Sequence, residues 1–281
     1  MELAEYRARF GAEMARTIGV PEDGRIARVF ASTPREVFVG PPPWRIFAHE
    51  EEGRLVEDPA MLYRDVLVQI KSEAAINNGQ PSLHALCFAA LRVMPGETVI
   101  HVGAGTGYYT AMLGALVGDE GRVEAYEIES DLAERANENL KGMPWIRVHA
   151  GSGTTGALSA CDVLYVSAGA TDPLAVWLDA LRIGGRLLFP LTPNESYGGM
   201  LMVTRRPDEY GARFLCGAKF VGCEGARDAE MGGRLERCFA RGHAADVSSL
   251  WRDDSPDETA WCVGAGWWLS SRRIPGPPSR R

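Results

Sequence analysis

The sequence contains no continuous apolar run near the ~18 residues of a membrane span, so a membrane-embedded chain is not expected. Its N-terminus, MELAEYRARFGAEMART, carries acids and lacks the apolar stretch of a secretory leader. Basic charge is not in excess: 30 Lys and Arg stand against 37 Asp and Glu, a formal charge of -7. Binding to phosphates needs clustered Lys and Arg, so a nucleic-acid partner is not expected either. Arg272, Arg273, Arg280 and Arg281 do crowd the C-terminus, but they sit in SRRIPGPPSRR and read as a frayed, Pro-rich end. The 6 cysteines show no C-x-x-C pair and no metal-ligand spacing. Several lie in apolar segments, so buried free thiols and no metal site are expected. There is no internal repeat. A soluble, cytoplasmic chain follows, and 281 residues suffice to bury a sizeable core.

What is present begins with helices. Leu3, Tyr6, Phe10, Met14 and Ile18 recur three or four apart, one face of an amphipathic helix over residues 2–18. A second helix is expected over Gly24–Ser32, before Pro34. Residues 40–60, rich in Pro and charge, read as a connecting loop. Helical spacing returns over Leu83–Val93 and stops at M-P-G.

From residue 97 the pattern becomes strand, glycine turn, helix, repeated. ETVIHV, RVEAYEI, WIRVHA, DVLYVSAG and GRLLFPL read as strands. GTGYYTAMLGALVG, SDLAERANENLKG and PLAVWLDALRIGG read as the helices between them. This alternation predicts a doubly wound α/β architecture, a mainly parallel sheet covered on both faces. GMLMVTRR and ARFLCGAKFVG then form an antiparallel pair. MGGRLERCFARGH suggests a last helix, and a final strand would put Trp261, Val263, Ala265 and Trp267 on one side. The expected organisation is a helical cap and loop over 1–75, a core over 76–228 and a C-terminal extension over 229–281.

VIHVGAGTGYYTAML sets Gly103, Gly105 and Gly107 between a strand and a helix. Glycines there allow a tight turn and close approach of a ligand to the backbone. The next strand ends in Glu127, placed to hold two ribose hydroxyls, with Ile128 beside it. A nicotinamide dinucleotide wants G-x-G-x-x-G and a helix N-terminus for its pyrophosphate. Here Tyr108 stands where that motif needs glycine. S-adenosylmethionine carries no phosphate and suits G-x-G-x-G, which shifts the reading to methyl transfer. The later strand end HAGSG would bring Ser152 beside an adenine.

With these motifs in view the chain resembles the protein-L-isoaspartate O-methyltransferase family over residues 5–225. STPREVFVG is similar to the family's V-P-R-E-x-F-V, and LYRD to its A-Y-x-D. VIHVGAGTGYYTAML resembles V-L-E-I-G-x-G-S-G-Y-x-T-A-x-L. AGSGTTG stands for G-D-G-x-x-G, and CDVLYVSAGATDPLAVWLDALRIGGRLLFPL follows the family's last two core strands. The resemblance implies an S-adenosylmethionine-dependent enzyme that methylates isoaspartyl carboxylates, acting on a peptide, protein or small-molecule carboxylate. It implies cofactor contacts at Asn77, Asn78, Gly103, Ala104, Gly105, Gly107, Glu127, Ile128, Ser152 and Gly153. Gly79, Gln80 and His84 fall at the catalytic stretch, and Asn78, Ser167 and Ala168 on the acceptor side.

Three departures stand out. The family's T-I-S-x-P carries its active-site serine, and alignment on Pro81 puts Gly79 at that serine. Ser152 replaces an acid near adenine, and His101 an acid one turn before the glycines. Asn77, Asn78 or Gln80 would then donate where the serine is missing. Asn78-Gly79 also reads simply as a turn, and Trp261, Trp267 and Trp268 as packing. Arg35 and Glu36 would tie the N-terminal segment to the core. Two alternatives stay open: the same fold serving another acceptor, and a cofactor-binding module without turnover.

Overall fold

The computed structural model describes residues 2–48, 52–73 and 76–274, so the end of the arginine-rich tail lies outside it. The chain divides into two compact units, Met1–Gly151 and Ser152–Arg281.

The first unit opens with α1 (Leu3–Thr17), α2 (Arg25–Ser32) and the short α3 (Arg35–Phe38). The apolar stripe read from α1 is the face that packs: Phe10 and Met14 are buried, and the Phe10 ring meets Phe30 of α2 edge-on at 5.8 Å. The stretch expected to be a loop is instead partly sheet. β1 (Trp44–Phe47) pairs antiparallel with β2 (Arg54–Val56) and with β3 (Leu67–Lys71), and β3 with β4 (Ile76–Asn77). Its prolines and charges hid a short alternation in which Trp44 and Ile46 face inward with Leu62, Val66 and Val68. Burial of that small cluster outweighs the local turn propensity of the segment.

α4 (Pro81–Leu91) precedes β5 (Thr98–Val102), α5 (Tyr108–Val117), β6 (Arg122–Glu127), α6 (Ser130–Leu140) and β7 (Ile146–Ala150). β5, β6 and β7 are parallel neighbours, each within a residue or so of the strand expected. Arg25 of α2 locks two helix C-termini together, donating to Val93 O at 2.7 Å and Leu116 O at 2.6 Å. A cation at those ends also opposes the helix dipoles.

The second unit starts with β8 (Cys161–Val166), α7 (Ala175–Ala180) and β9 (Leu181–Leu191), β8 and β9 being parallel. Here α7 is shorter than its sequence pattern, because LRIGG joins the strand: Leu181 already pairs with Cys161, and a bulge follows before Arg186 meets Val163. Arg205 donates to Leu181 O at 2.6 Å, and Arg182 bonds Asp162 at 2.7 Å, which anchors this early start. β10 (Gly198–Arg205) and β11 (Tyr210–Ala218) continue antiparallel, as expected. After α8 (Ala229–Ala240) come β12 (Ser249–Trp251), β13 (Ala260–Val263) and β14 (Trp268–Ser270). The single final strand of the sequence reading is thus a hairpin, since Gly264 and Gly266 turn the chain and Val263 pairs with Trp268. Trp261, Trp267 and Trp268 are all buried as packing, Trp261 among Phe214 and Phe239. Parallel strands joined by helices, followed by antiparallel C-terminal strands, make this a doubly wound α/β chain.

Candidate active site

The glycine turn after β5 is built as its sequence requires. Gly103, Gly105 and Gly107 have φ of 81°, 56° and 92°, a run that side chains rarely adopt. A Cβ on Gly107 would stand 2.8 Å from Leu140 Cδ1, so α6 packs directly on the turn. Gly103 and Ala104 donate their N–H groups to Tyr126 O at 2.9 and 3.1 Å. Glu127 closes the turn from the end of β6: Oε2 accepts from Gly105 N at 2.6 Å and Oε1 from Glu129 N at 3.0 Å. Burial raises the Glu127 carboxyl above its usual range, while those backbone donors pull the other way. Ile128, next in the chain, is exposed. His101, where the family has an acid, faces away into the β5–α5 packing and bonds Thr110 Oγ1 at 2.9 Å. The turn is therefore ordered by Glu127, and Thr106 Oγ1 within it is buried with no hydrogen-bond partner among the described residues.

The polar stretch before α4 is held by a buried arginine. Arg35, fully buried, donates to Leu62 O at 2.9 Å, Val66 O at 2.7 Å and Gly79 O at 3.4 Å. It also grips Asn78 Oδ1 with Nε at 3.2 Å and Nη2 at 2.5 Å, and lies over the Tyr108 ring at 5.7 Å. Arg35 does tie the N-terminal segment down, and it does so through the loop at residues 78–79. With Oδ1 so engaged the Asn78 amide has one orientation, and its buried Nδ2 has no hydrogen-bond partner among the described residues. Asn77 Oδ1 accepts from Gly79 N at 2.9 Å, a side-chain turn that fixes the loop. Gln80 spends its amide on Asp65 Oδ2 at 2.9 Å and Ser82 Oγ at 3.1 Å.

His84 explains the glycine at 79. The imidazole stacks on Tyr109 at 3.5 Å with the planes 7° apart. A Cβ built on Gly79 would lie 2.2 Å from His84 Nε2, and Gly79 has φ +71°. The space of a serine side chain is thus occupied by the imidazole. Burial, with the nearby His101 and Arg35, holds the His84 pKa well below its usual value, so the ring is neutral at pH 7. Asp65 was not singled out by its chemistry in the sequence, although it ends the LYRD motif. It accepts from Ser82 N at 2.8 Å and Ser82 Oγ at 2.6 Å, capping α4 from outside.

In the second unit Ser152 Oγ meets Thr154 Oγ1 at 2.7 Å, and Gly153 O accepts from Trp177 Nε1 at 2.8 Å. Ser167 and Ala168, both half-buried, follow β8 directly. An open cleft lined by Thr98, Arg122 and Ile146 lies at the N-terminal ends of β5–β7, the opposite ends from the glycine turn.

Comparison with known proteins converges on one family. The family model described as protein-L-isoaspartate(D-aspartate) O-methyltransferase matches residues 12–225. A protein-L-isoaspartate O-methyltransferase of Ignicoccus hospitalis is 30% identical over 200 residues, covering 70% of this chain and 87% of the relative. One from Rhodopseudomonas palustris is 30% identical over 221 residues, covering 76% and 93%. A solved protein-L-isoaspartate O-methyltransferase shares the fold at TM-score 0.67 and 23% identity, over 83% of this chain and 69% of that one. The Plasmodium falciparum beta-aspartate methyltransferase, solved in complex with S-adenosyl-L-homocysteine, does so at TM-score 0.62 and 19% identity, over 78% and 98%.

Proposed function

The chain belongs to the protein-L-isoaspartate(D-aspartate) O-methyltransferase family, and we propose from that premise that it methylates an isoaspartyl-type carboxylate of a peptide or protein, using S-adenosylmethionine. The observation that carries this is the glycine turn closed by the Glu127 carboxylate. A carboxylate offers about four lone-pair sites. Glu127 uses two on backbone N–H groups, which leaves room for a ribose diol. Three glycines with positive φ and the Thr106 hydroxyl, without a partner among the described residues, suit a ligand laid on backbone, so the residues present fit this cofactor. Gly103, Ala104, Gly105 and Gly107 would hold its methionine part, Glu127 its ribose, with Ile128 and the Asn77–Asn78 side nearby. Ser152 and Gly153 are proposed for the adenine, and Ser167 and Ala168 for the acceptor, on the strength of their motifs alone.

When bound, the cofactor supplies a methyl group on a positively charged sulfur. The acceptor carboxylate, with a pKa of about 4, is already ionised at pH 7, so no residue need remove a proton. What the chain has to supply is position, which accounts for most of the acceleration in such a displacement. Of the three side chains that could replace the family's serine, Gln80 gives its amide hydrogens to Asp65 and Ser82, while Asn77 spends only its Oδ1, on Gly79 N. Asn78 Nδ2 is the buried donor with no partner among the described residues, aimed by Arg35. An acceptor oxygen reaching it would relieve a buried, unpaired N–H worth about 1–3 kcal/mol. Gly79 and Gln80 shape the loop, and neutral His84 holds it against Tyr109.

The blocked serine position favours a second reading, an acceptor other than isoaspartate on the same fold. One experiment separates them: an isoaspartyl peptide and its normal aspartyl counterpart incubated with methyl-labelled S-adenosylmethionine, beside an equilibrium titration of the cofactor. Label on the isoaspartyl peptide alone is expected. Tight cofactor binding with neither peptide labelled would overturn the isoaspartyl acceptor and leave another acceptor or a binding module. Among the described residues no helix is long and apolar enough to cross a membrane, and a cytoplasmic place is part of the proposal.

A further inference from the structure

Two cysteines outside the stretch matched by the family sit against each other. Cys238 is on the last turn of α8 and Cys262 is in β13. Their sulfurs are 2.8 Å apart across a separation of 24 residues. A disulfide bond is ~2.05 Å long, so little movement would join them. Arg241 stands over the pair: Nη2 donates to Cys238 Sγ at 3.3 Å and to Trp261 O at 2.9 Å. The Arg241 charge beside Cys238 favours a thiolate there over one at Cys262. The acidities agree, since the bond to Cys262 and then the Arg241 charge lower the Cys238 thiol, and the same bond raises Cys262. A thiol of lowered pKa in contact with a second thiol is the arrangement of a nucleophile and its resolving partner.

We propose that Cys238 and Cys262 are an oxidisable dithiol site that a peroxide converts to a reversible disulfide, cross-linking α8 to the β13–β14 hairpin. Both residues are buried, at 3% and 2% exposure, which keeps bulky disulfides out and leaves a small peroxide as the oxidant of suitable size. The Cys238 thiolate attacks one peroxide oxygen, the O–O bond breaks, and hydroxide leaves with a proton as water. Cys238 is then a sulfenic acid. The Cys262 sulfur attacks it, the S–O bond breaks, and the departing hydroxyl takes the Cys262 hydrogen as a second water. Two thiols are oxidised by two electrons and one peroxide is reduced. The bond would make covalent a contact already held by Arg234, which donates to Val263 O at 2.8 Å.

The test uses the full chain and hydrogen peroxide, and its readout is independent of methyl transfer. The protein is treated, quenched, denatured and alkylated with N-ethylmaleimide, and its intact mass is read. With 6 cysteines in the chain, six labels are expected on the reduced protein and four, six minus the joined two, after peroxide. Dithiothreitol restores six, proteolytic mapping joins the peptides holding Cys238 and Cys262, and the oxidised protein melts higher than the reduced one. Cys238→Ser and Cys262→Ser each abolish the loss of two labels, while Cys216→Ser, a change in the half-buried thiol of β11, preserves it. Six labels after peroxide, or a disulfide mapped to any other pair, overturns the proposal even if a variant fails to fold.

Discussion

Gly79 combines two constraints, a left-handed backbone and an imidazole where its side chain would go. Placing the family's serine there should therefore not restore an active-site hydroxyl. A left-handed non-glycine residue costs about 1–2 kcal/mol before any clash is counted. Gly79→Ser is expected to lower stability to urea by roughly 1–3 kcal/mol and to reduce methyl transfer. His84→Ala in the same chain removes the obstructing ring. The double variant should be more stable than the sum of the singles predicts, with a coupling of about 0.5–3 kcal/mol. Strict additivity of the urea midpoints would show that His84 does not block the position. The sequence revealed that a serine was missing at this residue; it did not reveal that a histidine five positions on had taken its space.

Among the elements, α4 shows how the candidate site is fastened. Its own N-cap, Gln80, makes no capping bond, and Pro81 supplies a first residue that needs no acceptor. Asp65 takes over the cap from a different segment by accepting from Ser82 N and Ser82 Oγ, and it holds Gln80 as well. Removing a capping carboxylate costs about 0.5–2 kcal/mol. Asp65→Ala is expected to fall in the upper half of that range, because Gln80 loses a partner too. The same variant should weaken acceptor KM more than cofactor affinity, since Glu127 and the glycine turn are untouched. Equal losses in both, read from steady-state kinetics and cofactor titration, would contradict a separate role for the α4 cap. Helix spacing was legible in this part of the sequence. The cap was not, because an aspartate sixteen residues before a proline carries no local signature of where its carboxylate points.

For the whole molecule, the buried histidines set how stability depends on pH. His84 is held neutral by burial, with His101 and Arg35 adding to the effect, and burial takes His101 down to about 3. Both folded values lie below the ~6.5 of an unfolded histidine. Their contribution to stability is therefore complete above about pH 6.5 and is lost as pH falls toward the folded values. Each should remove on the order of 1.4 kcal/mol per pH unit below that point. Glu127 acts in the opposite sense: its raised pKa makes the fold gain as pH falls through its folded value. Urea midpoints measured from pH 7 to pH 5 should thus drop, with a slope that steepens toward two protons below pH 6.5. In His101→Asn the slope should approach one. A midpoint flat across this window would mean that both rings are protonated in the folded state.

The sequence by itself determined the family, the order of strands and helices from residue 97 onward, and the glycine turn with its acid. These are short-range patterns, set by the periodicity of burial and by glycines that must adopt positive φ. Tertiary structure alone decided that Trp44 and Ile46 form a strand inside a stretch rich in proline and charge. It also decided that the last apolar run folds into a hairpin, that Arg35 grips Asn78, and that Cys238 meets Cys262. Apart from the hairpin, whose turn is local, each of these depends on contacts between segments far apart in the chain, where burial and hydrogen bonding outweigh local propensity. The polar stretch at residues 77–80 lies on that boundary. Its position was legible in the motif, while the amide left with a hydrogen to give was fixed only by the arginine packed against it.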